Sequence, residues 1–400
     1  MGKLAITGGK PVRTEGWPGW PVHDEREVEL VSEVVRSGNW SYDGQKELEF
    51  AQKFAEFIGT KYSFCVTGGT AALEISLRAA GVGAGDEVIL PAETFIATAS
   101  CIVYVGAVPV FVDVEPDTYC IDPKLLEAAI TGRTSAIIPV HLFGCMADMD
   151  GVMEVAKKHN LRVIEDCAHT HGSRWNGVGA GAIGNLGAFS LQQSKPITCG
   201  EGGVITTNDD ELAERCYSFK NCGRTRTETA KHVVGGNYRI TEMQAAILLA
   251  QLERLPGQVE RRDENAIYLT KQLAEIDGIQ PLKRHPQITK QSYYAYVFNY
   301  DQKAFNHQPV GRFVEAMRAE GIPVSDGLFG PVYKDALFAI DTKLFPHLGR
   351  IDYAKVHCPV AENAGNETVT FGHSVLLGTK NDMDNIAEAV RKIRANVDEL

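Results

Sequence analysis

Short apolar runs alternate with segments of helical periodicity between Lys61 and Asp209. The apolar runs are YSFCV, EVILP, PVFVDVE, SAIIPVHL and LRVIED, and two more lie within GAFSLQQSKPITCGEGGVITTND. Strand and helix repeated in this way predict an α/β fold, with a mostly parallel central sheet and helices on both faces. Ligand-binding groups are then expected at the carboxyl ends of the strands.

A second pattern begins at Thr241, where a long helical region is predicted to be interrupted at Pro256 and Gly257 and to continue from Val259. Beyond it, SYYAYVFNY alternates like a strand, and GRFVEAMRAEG and DMDNIAEAVRKIRANVDEL have helical periodicity. We therefore expect a large domain over 1–255, including an N-terminal arm, and a smaller C-terminal α+β domain over 256–400.

Composition and charge exclude several classes of protein. The 400 residues are 44% hydrophobic and 23% charged, and the net charge of −11 disfavours unspecific nucleic-acid binding. No apolar run reaches the roughly 20 residues that span a bilayer. Nine scattered cysteines without a CxxC pair indicate reduced thiols, so we expect a cytoplasmic enzyme with neither nucleic-acid nor membrane partners.

Three constellations carry candidate chemistry, and the first is TGGTAAL. Gly68 and Gly69 follow a predicted strand and Thr70 opens a helix, so free N–H groups and the helix dipole are available to an anion. The dipole contributes at most about 2 kcal/mol, which is too little to hold a phosphate without further donors. Taken alone, the motif is better explained as a glycine turn with a threonine cap.

The second constellation is LRVIEDCAHTHGS, in which an apolar strand ends in Glu165 and Asp166, shortly before His169 and His171. A buried carboxylate needs a cationic partner, which a metal, an arginine or a protonated heterocycle would each supply. An acidic turn with hydrogen-bonded histidines is the alternative, and it is favoured for His171. Because no second cluster completes D-x-x-H-x-H, we expect no metal site.

The third constellation is Lys195, which lies between the last two apolar runs. Burying an ammonium is costly unless it pairs, shifts its pKa or forms a Schiff base with an aldehyde. Pyridoxal phosphate (PLP) requires a lysine, a carboxylate for its ring nitrogen and a phosphate-binding helix N-terminus together. Phe95, in ILPAETFIATAS, is a candidate for stacking on the ring, although a core phenylalanine is an equal alternative.

Ordered motifs over nearly the whole chain resemble the DegT/DnrJ/EryC1/StrS aminotransferases, fold-type I PLP enzymes that aminate keto sugars and cyclitols. The motifs are TGGTAAL, LPAETFIATA, VDVEPDTYCID, IIPVHLFG, VIEDCAHTHGS, FSLQQSKPITCGEGG and GGNYRITEMQAAI. The resemblance implies that Lys195 forms the Schiff base and moves the Cα proton, and that Asp166 pairs with the pyridinium. It further implies that His169 contacts the ring hydroxyl and that Phe95 stacks on the ring.

The same resemblance assigns the phosphate and the subunit arrangement. Gly69 and Thr70 would bind the phosphate through backbone N–H groups, with Ser190 and Gln193 nearby. Asn237, in GGNYR, would reach the phosphate of the neighbouring subunit, which implies a homodimer with composite sites. Without the resemblance, Asn237 would be interpreted as a turn residue.

Two features favour free cyclic ketones as acceptors. SLQQSK lacks the H-x-x-K of many nucleotide-sugar enzymes. VTFGHSVLLG resembles the C-terminal segments of the glutamine:scyllo-inosose and 2-deoxy-scyllo-inosose aminotransferases and of the 3-amino-5-hydroxybenzoate synthases, which together form one branch of the family. L-Glutamine is the amino donor that this branch implies. Trp40, Tyr42 and His373 are candidate contacts to a polyol ring, although the loop SGNWSYDGQ would equally form a solvated turn.

The leading hypothesis is thus a PLP-dependent aminotransferase of aminocyclitol or antibiotic biosynthesis, acting on a small-molecule amino donor and a keto acceptor. An aromatising enzyme of the 3-amino-5-hydroxybenzoate synthase type and a nucleotide keto-sugar aminotransferase are the alternatives. A PLP-binding sensor without turnover is disfavoured by the intact Lys195 and Asp166.

Overall fold

A seven-stranded sheet forms the centre of the molecule in the computed structural model, which describes residues 2–42, 44–228, 230–346, 348 and 352–400. In spatial order the strands are β1, β9, β8, β5, β4, β2 and β3. Their bounds are β1 Tyr62–Val66, β2 Glu87–Pro91, β3 Val108–Val112, β4 Thr134–Ile137, β5 Arg162–Asp166, β8 Leu186–Ser190 and β9 Gly203–Thr207.

Parallel pairing dominates this sheet, as predicted. Strands β3, β2, β4, β5 and β8 pair in parallel, whereas β9 runs antiparallel to both β8 and β1. The parallel strands are almost entirely buried, as expected of strands covered on both faces. Their carboxyl ends therefore share one edge of the sheet, where Asp166 and Ser190 are the last residues of adjacent strands.

Helices surround the central sheet and also occur in the C-terminal part. Helix α3 packs against β8, β9, α4 and α7, and α2 packs against β1 and α8. The helices are α1 Glu25–Ser37, α2 Gln45–Ile58, α3 Gly69–Ala80, α4 Ile96–Tyr104, α5 Leu126–Ala129, α6 Met149–His159, α7 Asp210–Lys220, α8 Glu242–Leu273, α9 Val310–Ala319, α10 Pro359–Glu367 and α11 Lys380–Ala395.

Two small antiparallel sheets complete the architecture. The first has the order β10, β12, β14, β13, and the second has the order β11, β6, β7. Their strands are β6 Arg174–Trp175, β7 Val178–Gly179, β10 Ile279–Pro281, β11 Ile288–Lys290, β12 Ala295–Tyr300, β13 Ser325–Asp326 and β14 Thr368–Gly372. The first of these sheets, with α9 and α11, gives the C-terminal part its α+β character.

The predicted interruption at Pro256 is wrong, because α8 is one helix from Glu242 to Leu273 with Pro256 inside it. A proline in a helix interior loses one backbone hydrogen bond and crowds the carbonyl four residues earlier, at a cost of about 3 kcal/mol. Burial of Leu255 and Val259 on the two sides of Pro256 offsets that cost. Tertiary packing therefore overrides the local signal.

Two large hydrophobic cores and one small cluster around Val103, Val108 and Leu348 lie within the described residues. The larger includes the central sheet, and the second includes α9, α11 and the end of α8. Leu4 of the N-terminal arm is fully buried in the second core. Because the predicted boundary between 255 and 256 falls within α8, the division into 1–255 and 256–400 stays a prediction.

The described helices include none that is both long and apolar enough to cross a membrane. All nine cysteines are described and are free, and seven of them are buried. This agrees with the prediction of reduced thiols instead of a disulfide framework.

Candidate active site

A cleft of about 450 Å³ opens at the carboxyl edge of the central sheet. It brings together seven of the residues predicted from the sequence: Gly69, Thr70, Phe95, Asp166, His169, Ser190 and Lys195. These residues come from four segments of the chain, namely 69–70, 95, 166–169 and 190–195. The fold thus joins the three sequence constellations in a single site.

The N-terminus of α3 forms one end of the cleft. Gly68 is its N-cap residue, and no side chain caps the helix. In the described part of the chain, the N–H groups of Gly69 and Thr70 have no hydrogen-bond acceptor. A Cβ on Gly69 would lie 2.8 Å from the Cβ of Ser190, so a larger residue there requires a shift of the neighbouring atoms. Free donors, the helix dipole and a nearby hydroxyl together suit a phosphate.

Asp166 ends β5 and is 5% exposed. Its Oδ2 accepts a hydrogen bond from the Thr98 hydroxyl at 2.8 Å, and its Oδ1 accepts one from the Ala168 N–H at 3.1 Å. Burial raises the pKa of Asp166, while these two bonds and the charge of Lys195 oppose the rise. The carboxylate retains hydrogen-bonding capacity toward the cleft, and a cationic ring N–H would use it.

Glu165, the preceding residue, is fully buried and has a complete set of partners. Its two oxygens accept bonds from the N–H groups of Gly181, Ile183 and Gly184 at 2.7–2.9 Å, and from His141 Nε2 at 3.0 Å. Although Glu165, His141 and Cys167 lie within metal-binding distance of one another, their arrangement is already satisfied by the protein. Glu165 is therefore structural.

Lys195 is partly buried beside an aromatic ring. Its Nζ lies 4.3 Å from the ring centroid of Tyr294. Within the described chain, no side chain forms an ion pair with this amine. Burial lowers its pKa to about 8, although Asp166 opposes the shift. The lowered pKa favours the neutral amine, which is the form that attacks an aldehyde.

His169 and His171 differ in their roles. His169 Nδ1 accepts a bond from the Phe143 N–H at 3.2 Å, so its proton lies on Nε2, which has no partner among the described residues. Its ring stacks on Tyr294 with centroids 4.1 Å apart. His171 is fully buried and its Nε2 donates to the Ser190 carbonyl at 2.8 Å. Because burial lowers the pKa of His171 to about 3, it is a neutral structural residue, as predicted.

Phe95 precedes α4 and is 53% exposed, so it is not a core residue. Its ring contacts Phe329 edge to face, with centroids 5.7 Å apart. An exposed aromatic ring at the rim of a cleft is available for stacking on a planar ligand.

Several predicted residues lie outside the cleft. Gln193 is exposed, and within the described residues its hydrogen bonds are made by its backbone, to the Gly200 carbonyl and from the Trp20 indole N–H. Trp40 and Tyr42 are exposed elsewhere, and Tyr42 lines a separate cavity with Arg239. Within one chain, these three residues are therefore not positioned to contact a ligand in this cleft.

Asn237 and His373 also lie outside the main cleft. Asn237 is exposed, and its Oδ1 accepts a 3.4 Å bond from the Arg239 N–H. His373 is 4% exposed and lines a neighbouring cleft of about 480 Å³. Its Nε2 donates to the Ser194 carbonyl at 2.9 Å, and burial lowers its pKa to about 3.

Three residues of the cleft were missed in the sequence. Thr98 bonds Asp166, Tyr294 contacts Lys195 and His169, and Phe329 lies against Phe95. Thr98 lies three residues after Phe95, so the turn of α4 is a signal that would have found it. Tyr294 and Phe329 come from the C-terminal part, where no local motif marks them.

The residues of the cleft fit PLP. The unpaired amine of Lys195, the buried carboxylate of Asp166 and the free N–H groups of α3 match its aldehyde, ring nitrogen and phosphate. The Nε2–H of His169 matches the ring hydroxyl. Each group has unused hydrogen-bonding or reactive capacity directed at one cleft, which is the observation that supports the fit.

Comparison with known sequences identifies related aminotransferases. Residues 21–391 match the DegT/DnrJ/EryC1/StrS aminotransferase family. The chain is 40% identical over 420 residues to an L-glutamine:2-deoxy-scyllo-inosose aminotransferase from Streptoalloteichus tenebrarius, and 39% identical over 422 residues to an L-glutamine:scyllo-inosose aminotransferase from Streptomyces griseus. Each alignment covers 99% of both proteins.

Comparison with solved structures supports the fold. A 3-amino-5-hydroxybenzoic acid synthase is 32% identical with a TM-score of 0.84, and the match covers 96% of this chain and 100% of the synthase. NtdA from Bacillus subtilis, solved with bound cofactor PMP, is 25% identical with a TM-score of 0.79 and matches over 93% and 82% of the two chains. The fold-type I prediction is therefore confirmed.

Proposed function

The chain belongs to the DegT/DnrJ/EryC1/StrS aminotransferase family, and from that membership we propose that it transfers an amino group from L-glutamine to a cyclic ketone. The acceptor is a cyclitol ketone such as scyllo-inosose or 2-deoxy-scyllo-inosose, in aminocyclitol or antibiotic biosynthesis. The observation that carries the proposal is the cleft in which Lys195, Asp166 and the uncapped N-terminus of α3 meet.

PLP is the proposed cofactor, and its aldehyde and electron-withdrawing ring would supply the chemistry of amino transfer. Gly69 and Thr70 would hold the phosphate through their N–H groups, with the Ser190 hydroxyl beside them. Asp166 would hold the ring nitrogen protonated, and the Nε2–H of His169 would hold the ring oxygen. Phe95 would cover one face of the ring and limit the access of water.

Lys195 is the proposed proton carrier. Its Nζ would take the proton from the Cα of the amino donor and deliver it within the same cleft. The lowered pKa of about 8 suits this role, because a base works best when its pKa lies near the working pH. Tyr294 limits where the amine can move, since its ring lies 4.3 Å from Nζ.

A substrate screen tests the proposed reaction. Purified protein loaded with PLP is given L-glutamine together with scyllo-inosose, 2-deoxy-scyllo-inosose or a keto-sugar nucleotide. We expect L-glutamine to bleach the visible absorbance of the lysine-bound cofactor, and a cyclitol ketone to restore it with formation of an amine. Absence of bleaching, or restoration by keto-sugar nucleotides alone, would contradict the proposal.

An aromatising reaction is the second candidate, because a 3-amino-5-hydroxybenzoic acid synthase covers 96% of this chain at 32% identity. In that reaction Lys195 would also remove a proton, and water would be lost. Mass analysis of the product separates the two reactions, since amination of a cyclitol ketone retains the ring hydroxyl groups that aromatisation eliminates.

We also propose a homodimer in which Asn237 serves the neighbouring site. Asn237 is exposed and lies outside the cleft of its own chain, which is compatible with a role across an interface. Mixing Lys195→Ala with Asn237→Ala subunits tests this arrangement. If Asn237 acts across the interface, each hybrid dimer contains one intact site and activity returns, whereas action within one chain leaves every site defective.

A further inference from the structure

Glu93 is a buried carboxylate that the proposed reaction does not use. It follows β2 and is 0% exposed. Its Oε1 accepts hydrogen bonds from the N–H of Phe329 at 2.9 Å and from the N–H of Gly330 at 3.3 Å, and its Oε2 accepts the Gly330 N–H at 3.1 Å. One side chain near the central sheet thus holds two consecutive amides of a distant loop.

Backbone contacts continue this attachment. Glu93 forms an isolated β-bridge with Pro331, and the Val332 N–H donates to the Ala92 carbonyl at 2.9 Å. Among the described residues, no basic side chain forms an ion pair with Glu93. Burial raises its pKa to about 8, against the effect of the two amides. An unpaired buried acid contributes little to stability, so its effect lies in the loop that it holds.

Phe329, the first residue held, lies where two clefts meet. It is 39% exposed and lines both the main cleft and the neighbouring cleft of about 480 Å³. Its ring is nearly parallel to that of Phe143, with centroids 5.5 Å apart, and lies 6.0 Å from that of His169. Ser194 and Tyr294 line both clefts as well, so the two spaces adjoin directly next to Lys195.

The neighbouring cleft has a composition that suits a polyol. Its lining includes Ser325 and Thr370, whose hydroxyl groups hydrogen-bond to each other at 2.9 Å, together with Asp326 and Trp20. A six-membered ring with equatorial hydroxyl groups has two apolar faces of axial C–H bonds and a polar rim. Such a ring packs its face on an aromatic side chain while its rim donates and accepts hydrogen bonds.

We propose that Phe329 packs on the face of the cyclic ketone and selects it as acceptor, and that Glu93 positions Phe329 through the amides of residues 329 and 330. This inference rests on the proposed function. Glu93 is a positioning residue, because it acts through the loop and lies behind it. L-Glutamine is a flexible chain with both charges at its α-carbon and a neutral, polar amide at its other end. It gains little from a flat apolar wall, so the donor half-reaction depends less on Phe329.

Hydrogen exchange in the cofactor-free protein tests the attachment without any turnover. We expect Glu93→Ala to accelerate exchange of the amides of Phe329 and Gly330 by about 10-fold or more, because both lose their acceptor. Glu93→Gln keeps one acceptor oxygen and should give an intermediate rate. The matched control is Glu87→Gln, which alters a buried acid at the other end of β2 and should leave both amides unchanged. Unchanged exchange in Glu93→Ala would overturn the positioning role.

Separate measurement of the half-reactions tests the selection. We expect Phe329→Ala and Glu93→Ala each to lower kcat/KM for scyllo-inosose by about 10-fold or more, and to change the bleaching rate with L-glutamine by less than about 3-fold. The double variant should be no worse than the poorer single variant, because both changes remove the same contact. Equal losses in the two half-reactions, or multiplication of the two effects, would overturn the proposal.

The proposed function and the role of Phe329 can be refuted by different results. If the wild-type protein aminates no cyclic ketone, the proposed function and the acceptor role of Phe329 fail together. The exchange experiment still decides whether Glu93 holds the loop. If ketone amination is present and Phe329→Ala retains full kcat/KM for scyllo-inosose, only the selection by Phe329 is refuted.

Discussion

Glu165 and Asp166 are adjacent acids at the end of one strand, yet they belong to two different regions. Glu165 accepts four hydrogen bonds from the protein and joins the segment 181–184 to His141. Asp166 accepts two and lines the cleft that contains Lys195. Burial is common to both residues, so burial alone does not mark a functional acid. Unused hydrogen-bonding capacity beside an open cleft does.

Replacement of Asp166 should give the largest effect on activity. We expect Asp166→Asn to lower turnover by about 10³-fold or more, because a neutral amide no longer keeps a ring nitrogen protonated. The free energy of unfolding of the cofactor-free protein should change by less than about 1 kcal/mol, since burial already disfavours the charged form of Asp166. Steady-state kinetics and urea unfolding of the same preparation check the two expectations.

Replacement of Glu165 should lower stability and leave activity largely unchanged. We expect Glu165→Gln to lower the free energy of unfolding by about 3 kcal/mol, because its new amide N–H₂ group faces donors instead of acceptors. Turnover per folded molecule should stay within about 3-fold of the wild type. A stable Glu165→Gln protein with little activity would show that the division between the two acids is wrong.

The pH dependence of stability measures the cost of burying Lys195 in the cleft. Burial lowers the pKa of Lys195 from 10.5 to about 8, so its cost to folding is present below pH 8 and disappears as the pH rises toward 10.5. We expect cofactor-free wild type to gain about 1–2 kcal/mol relative to Lys195→Met across this range, after allowance for partial exposure. Chemical denaturation of both proteins at pH 7.5 and 10.5 measures the change; a constant difference would contradict it.

The smallest expected effect concerns the phosphate end of the cleft. Gly69→Ala places a Cβ 2.8 Å from that of Ser190, so the N-terminus of α3 must shift by a few tenths of an ångström. We expect the affinity for PLP to fall by about 10-fold, or about 1.4 kcal/mol, with little change in thermal stability. Titration of the cofactor-free protein with PLP checks this, and Gly83→Ala, at a glycine with open space, is the control.

Much of the site was predictable because its residues follow strands in recognisable motifs. Asp166, Ser190 and the residues after β1 end or follow predicted strands, and a parallel sheet brings such ends together. Tyr294 and Phe329 could not be predicted in this way, since they reach the cleft from the C-terminal part through tertiary packing. The long helix α8 was misjudged for the same reason, because burial around Pro256 is not visible locally.

Residues of the exposed loops were the least predictable. Gln193 lies three residues after the end of β8, yet its side chain lies outside the cleft, whereas Gln192 and Ser194 line it. The alternation of side chains between the two faces of a strand does not predict where side chains point after the strand has ended. Trp40, Tyr42 and Asn237 lie away from the cleft of their own chain, so their proposed roles stay predictions.

Mapping the attachment of the cofactor shows whether Lys195 is the residue that binds PLP covalently. The cofactor-free protein is mixed with PLP, reduced with borohydride, digested and analysed by mass spectrometry. We expect one cofactor per chain, attached to the peptide that contains Lys195, and no visible absorbance band in Lys195→Ala. Labelling spread over other lysines without preference for Lys195, or an unchanged band in Lys195→Ala, would contradict the account.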